Sequence, residues 1–257
     1  MVVDINAFIG KWPYWPIPFS SAEAVVPKLL QWGIHRACVC STRSLFVHWE
    51  DGNCEVEAAG AQHSTSLIPF ACLGTFETSH RAACRKHDLA NYRERGFLGV
   101  RLYPQHHSYH VLVEPFVDEI CEQAMALQMP VLLPLRAIMN WGVPALELPD
   151  LVRIVERHSR VAWILSGINY LHEIRSAQFL LRRYPSVHLE TSCVMGYRAI
   201  QKVVNECGYE QILFGSGAPL QHGRANVDKI VHARVSDPAR EAILSSNAAR
   251  LLRLRKP

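Results

Sequence analysis

The chain has 257 residues, of which 49% are hydrophobic and 19% charged, a composition that excludes disordered, collagen-like and low-complexity proteins. Lysine and arginine outnumber aspartate and glutamate by 27 to 23, a formal charge of +4. The basic residues are scattered apart from a terminal Arg-Leu-Arg-Lys-Pro, so no clustered basic face for nucleic acid is expected.

In chain order, residues 2–8 read as a strand and 21–32 as a helix, and the pair repeats at 37–41 with a helical segment around 55–63, then at 67–73 with 80–95. Strands follow at 98–103, 131–135, 161–167 and 187–192, with helices at 115–127, 151–158, 172–184 and 197–207. A last strand at 212–216 precedes the C-terminal helices. The strands are continuous apolar runs, as in Val131-Leu132-Leu133, which is the pattern of a parallel sheet covered on both faces. Eight such units fill the chain length of a single (β/α)8 TIM barrel, so one domain over 1–257 is expected. Gly33, Gly96 and Gly208 stand where helices should end. Ser20 or Ser21 can cap the first helix, and Ser236-Asp237-Pro238 opens the last. The run from Trp12 to Pro18 is a rigid aromatic loop after the first strand, read as a lid over the barrel mouth, with a substrate-facing wall as the alternative.

No run approaches the ~18 apolar residues of a membrane span, and the N-terminus lacks a basic and then apolar leader. A soluble, cytoplasmic protein with no membrane and no nucleic-acid partner is therefore expected. The eight cysteines have no zinc-type paired spacing and are read as reduced thiols, with Cys38 and Cys40 as a buried pair on one strand face.

The segments Val3-Asp4-Ile5-Asn6-Ala7-Phe8-Ile9-Gly10, Gly99-Val100-Arg101-Leu102-Tyr103-Pro104 and Phe214-Gly215-Ser216-Gly217-Ala218-Pro219, with the closing Ser246-Asn247-Ala248-Ala249-Arg250-Leu251-Leu252, resemble motifs of the amidohydrolase-related (amidohydrolase 2) barrels. Residues 185–192 are similar to that family's seventh strand. The resemblance implies a TIM barrel and a hydrolase or decarboxylase using a divalent metal, with ligands from H-x-H on strand one, histidines on strands five and six and an aspartate on strand eight. Here those positions hold Asn6 and Phe8, Pro134, Leu165 or Ser166, and Gly217. None is a good zinc ligand. No metal and no other cofactor is therefore expected, although relocated ligands at His106, His107 and His110, with Glu190 on strand seven, are an alternative.

In this fold reacting groups sit at the C-terminal strand ends. Arg101 and Arg136 fall there on neighbouring strands, with Tyr103 on the same side as Arg101. They are read either as a clamp for a small carboxylate or phosphate, or as an internal network pairing Arg101 with Glu190. Asn6, Arg101, Tyr103, Arg136, Ser166 and Ser216 are the expected ligand-binding residues, and His107 and Glu190 the proton-transfer candidates. Asp4 is expected to be structural. No serine lies in a nucleophile elbow, so serine-hydrolase chemistry is not expected. The functional expectation is a barrel that binds, or acts without metal on, a small anion at its C-terminal face. The alternatives are a non-catalytic subunit of a homo- or hetero-oligomer, and a metal hydrolase or decarboxylase with relocated ligands.

Overall fold

Parallel strands need a crossover after each one, and the alternation of apolar runs with helical stretches supplies it. The computed structural model describes residues 1–75, 86–138 and 145–254. Its single sheet runs in the order β1 (Val3–Ile9), β2 (Arg36–Ser41), β3 (Leu67–Leu73), β4 (Gly99–Leu102), β5 (Val131–Pro134), β6 (Trp163–Ser166), β7 (Val187–Glu190) and β8 (Ile212–Leu213), every neighbouring pair parallel. Bonds from Ile5 N to Phe214 O (2.9 Å) and from Gly217 N to Asn6 O (2.8 Å) bring the last strand back to the first. The fold is the expected (β/α)8 barrel.

Around the sheet run α1 (Ala22–Gln31), α2 (Thr42–Phe46), α3 (Trp49–Gln62), α4 (Leu89–Glu94), α5 (Pro115–Leu127), α6 (Leu148–Arg157), α7 (Leu171–Arg183), α8 (Ala199–Cys207) and α9 (Gly223–Val231). The chain closes with α10 (Asp237–Glu241), a π-helical turn at Ala242–Ser246 and α11 (Asn247–Leu251). Gly33 and Gly96 end α1 and α4 with φ of 80° and 92°, which a residue with a Cβ adopts only under strain. Ser236 caps α10 by accepting the Ala239 N–H. Two helices differ from the sequence reading. α3 begins at Trp49, with Glu50 and Asp51 in its first turn. The helix expected over 80–95 is seen from Leu89, where the Asp88 carboxylate accepts the Asn91 N–H, while 76–85, including His80 and Cys84, lies outside the described residues. Residues 255–257 of the basic terminus lie outside them too.

Burial divides the interior into three parts. Most apolar residues fill the shell between strands and helices, Ala7, Ile9, Val39, Val100, Leu133 and Leu189 among them. Inside the barrel, Ile5, Cys38, Ile68, Phe70, Leu132 and Leu213 make a lower plug against Ala248 and Leu252 of the C-terminal helix. The third cluster closes the upper end and includes Phe8, Cys40, Cys72 and Tyr103. The register of β1 slips between Asp4 and Ala7, so that Val3 and Ile5 face inward below the irregularity and Phe8 above it. Cys38 and Cys40 are both fully buried, as the alternation suggested.

Buried His188 on β7 turns Nδ1 towards the carbonyls of Ser186 (3.1 Å) and Trp163 (3.3 Å), and burial pulls its pKa down to about 4. The folded value lies below the unfolded one, so this group's contribution is present above pH 6.5 and lost as pH falls towards 4. His188→Gln should therefore flatten the acid limb of stability between those pH values by about 3 kcal/mol, the equivalent of the shift. Urea denaturation at stepped pH checks it, and an unchanged acid limb would contradict it.

Candidate functional site

Inward positions on β1, β4, β6 and β7 place Asn6, Arg101, Ser166 and Glu190 in one fully buried polar layer. The Arg101 guanidinium donates to Asn6 Oδ1 (2.9 Å), to the carbonyl of Cys38 (2.8 Å) and to the Tyr103 hydroxyl (3.4 Å). It lies between the Phe8 and Phe70 rings, 5.1 and 5.6 Å from their centroids. Gly99 makes this possible, because a Cβ there would meet the Phe70 ring at 2.5 Å. The Asn6 amide donates onward to Glu190 Oε2 (3.2 Å) and Ser166 Oγ (3.1 Å). Glu190 also accepts from Ser166 Oγ (2.6 Å), Ser192 Oγ (2.9 Å) and the Ser192 N–H. Arg101 and Glu190 are thus linked through Asn6, and no direct ion pair joins them among the described residues. Asp4 lies beside this layer, accepting from the Asn6 N–H and from the Ser216 N–H and hydroxyl. Burial lifts its pKa to about 6.

Above the polar layer the barrel mouth is filled. Phe8, Tyr103, Ile138 and Leu220 pack under Trp12, whose ring lies 5.0 Å from Phe46 and 5.3 Å from Trp15. The aromatic loop after β1 is therefore a packed lid. Between Tyr103, His106, Pro134 and Arg136 a cavity of about 10 Å³ remains, the size of a single water.

Of the sequence-derived ligand residues, the structure brings Asn6, Arg101, Tyr103 and Ser166 together around Glu190, and joins Ser216 to them through Asp4. It does not bring in Arg136 or His107. The Arg136 fork is taken by Glu173 on α7, with Nη1 at 2.9 Å from the carboxylate, and by the Gly167 carbonyl at 2.7 Å. Arg136 and Arg101 share no partner, so the expected clamp does not form. The reason is that Glu173, aimed back over the start of α7 by the Asn169 and Tyr170 N–H groups, offers a ready bidentate partner. His107 bonds the Ser44 carbonyl through Nε2 (2.8 Å) and has no contact with Glu190. Burial lowers its pKa. His106 lies between Phe46 and Tyr103, and His110 pairs with Asp150 at 3.3 Å, so the three histidines point to separate partners.

The sequence reading missed a groove of about 790 Å³ on the same end of the barrel, between the loop after β1, the start of α1, α2 and α3. Ile9, Pro13, Phe46, Val47 and Ala58 supply apolar wall, and four charged residues line it. Three of these are engaged. Arg43 pairs with Asp51 (3.0 Å) and Glu55 (3.2 Å), and Glu55 also accepts from Ser41 Oγ (2.6 Å). The Glu23 carboxylate is held below its usual range by its own backbone N–H and the Ser21 hydroxyl. Lys11 alone, exposed at the rim, has no ion pair among the described residues.

The sequence model described as Amidohydrolase matches residues 58–254. The chain belongs to the amidohydrolase family. No curated protein matches the chain, but solved structures resemble its fold. 2,6-Dihydroxybenzoate decarboxylase from Rhizobium is 14% identical with a TM-score of 0.74, covering 98% of each chain. 5-Carboxyvanillate decarboxylase from Sphingomonas paucimobilis is 13% identical with a TM-score of 0.69, covering 99% of each. A dihydroxybenzoic acid decarboxylase from Polaromonas, solved with bound manganese and 2-nitroresorcinol, is 14% identical with a TM-score of 0.72, covering 100% of this chain and 98% of that one. No helix among the described residues is long and apolar enough to cross a membrane.

A divalent metal of the kind the family implies does not fit the residues present at the barrel axis. Asn6 already carries a guanidinium on its amide oxygen, Phe8 is a hydrocarbon wall, and Gly217 has no side chain to offer. A fixed positive charge in that place repels a second cation. Among the described residues no group of three or more His, Cys, Asp or Glu side chains is arranged to hold an ion.

Proposed function

We propose that this amidohydrolase-family barrel has lost the axial metal site and binds a small organic carboxylate in the groove beside Lys11. The observation that carries the reading is the Lys11 ammonium, without an ion pair among the described residues, at the edge of an apolar-walled groove in which Arg43 pairs with Glu55 and the Glu23 carboxylate is held by its own backbone N–H and Ser21. A single carboxylate on an apolar or aromatic body satisfies both features. The decarboxylases of similar fold act on aromatic acids by name, and that class supplies the first probes.

Benzoate and 2,6-dihydroxybenzoate should raise the thermal midpoint of the purified protein, and Lys11→Ala should weaken the affinity roughly tenfold to hundredfold. EDTA should leave the midpoint unchanged. A midpoint indifferent to both acids, or a full response retained in the variant, would overturn the reading. A second reading, a metal-dependent hydrolase or decarboxylase acting on carboxylates, is favoured by the family and the similar structures. Stoichiometric manganese or zinc in the purified protein, removed by EDTA with loss of stability, would establish that reading instead.

A further inference from the structure

Around the barrel from the Lys11 groove, the loop following β7 and the last turn of α9 enclose a cavity of about 440 Å³. Its walls carry Arg198, Lys229, His232 and Arg234, and the residues lining it include no aspartate or glutamate. Arg198 and Arg234 are exposed and make no salt bridge among the described residues, whereas Arg182, Arg224 and Arg240 nearby in the chain all do. Arg198 lies over the Tyr197 ring, 4.9 Å from its centroid, which restrains the guanidinium on the wall. The three N–H donors of Lys229 are taken from below by the carbonyls of Thr191 (2.5 Å) and Ser192 (3.1 Å) and by Asn226 Oδ1 (2.7 Å), so Lys229 adds positive charge behind the wall and donates nothing into the cavity. Burial draws its pKa down to about 8, and an anion alongside would favour the ammonium again.

The backbone adds donors to the same wall. Helix α8 starts there after Arg198, a left-handed residue (φ 55°) that gives no side-chain cap. The N–H groups of Ile200 and Gln201 reach no acceptor among the described residues. Open N–H groups in the first turn of a helix attract anions, and here they join side-chain cations on a shared hollow. Arg198 and Arg234, which make no salt bridge among the described residues, repel one another across the hollow, and an incoming dianion removes that repulsion. A monocarboxylate would offset only one of the positive groups. A phosphate ester offsets two and presents oxygens to donors on several sides. The cavity is also larger than a phosphate group alone and leaves room for a small organic body.

We propose that this cavity is an anion site for the phosphate group of a small soluble phosphate monoester, held by Arg198, Arg234 and the first turn of α8, with the charge of Lys229 behind them. It is separate from the Lys11 groove, which lies on the loops after β1 and β2.

The test titrates the full chain with inorganic phosphate and with phenyl phosphate, read by calorimetry and thermal midpoint, at constant ionic strength. Both ligands are expected to bind the unaltered protein. The doubly substituted Arg198→Ala/Arg234→Ala protein should keep its ligand-free midpoint, because both side chains are exposed, and should bind about tenfold more weakly or worse. Lys11→Ala should bind phosphate as the parent does, so failure of the carboxylate reading leaves this result untouched. The proposal is overturned by an absence of binding, by equal affinity in the double variant, or by capture on phosphatidic-acid vesicles with no response to either soluble ligand.

Discussion

Replacing Arg101 with methionine is expected to cost about 3–5 kcal/mol of stability, the range found when one member of a buried charged pair is removed. The guanidinium is fully buried and serves the Asn6 amide, the Cys38 carbonyl and the Tyr103 hydroxyl at once. Methionine fills part of the space between the Phe8 and Phe70 rings but donates nothing. Asn6 Oδ1 and the Cys38 carbonyl then remain buried without a partner, and the Glu190 carboxylate loses the cation to which Asn6 connects it. For a barrel of this size the loss corresponds to a drop of roughly 10 °C in the thermal midpoint. The double substitution Arg101→Met/Glu190→Gln should recover part of it, since both charges leave together and the couplings of a shared network are not additive. A single variant within 1 kcal/mol of the parent would show that the polar layer is not what holds the interior. An unchanged midpoint together with lost response to carboxylates would return Arg101 to the ligand-clamp reading.

Gly215→Ala should be comparably damaging, for a steric reason that acts on the same layer. A Cβ at this position would stand 1.8 Å from Glu190 Oε1 and 2.4 Å from its Cδ, far inside contact distance. The carboxylate cannot swing aside cheaply, because Asn6, Ser166 and Ser192 all donate to it. Overpacking typically costs about 1–3 kcal/mol and an unsatisfied buried polar group about 1–3 kcal/mol more. The expected sum is about 2–6 kcal/mol, measured by urea denaturation. Shortening the partner separates the two causes. Gly215→Ala/Glu190→Ala should be less destabilised than the sum of the single substitutions, because the added methyl occupies space the carboxylate has left. Strict additivity would mean that the methyl and the carboxylate do not compete.

The barrel was legible because each strand is a self-contained apolar run and each glycine stop is local. Pairings made across the barrel were not. Nothing in the spacing of Arg136 and Glu173 distinguishes a salt bridge from two independent surface charges, and only the start of α7 beside the end of β6 aims the carboxylate at the fork. The sequence paired Arg101 directly with Glu190, whereas the structure sets between them Asn6, a residue expected to bind ligand. The groove beside Lys11 left a weak signal, the proline-rich aromatic loop. Its volume arises from the way α1 and α3 stand apart, which no local pattern encodes.

The sequence by itself determined the family, the (β/α)8 plan and the mismatch between the expected metal ligands and the residues that stand in their places. These follow from residue identity and short-range periodicity, which need no knowledge of distant contacts. Tertiary structure alone decided that the axial space is closed by an aromatic plug over a hydrogen-bonded polar layer, and that Lys11, Arg198 and Arg234, without salt bridges among the described residues, line two hollows. A buried charge must find its partner wherever the strands and helices bring one, and that partner is set by packing across the barrel and not by position along the chain.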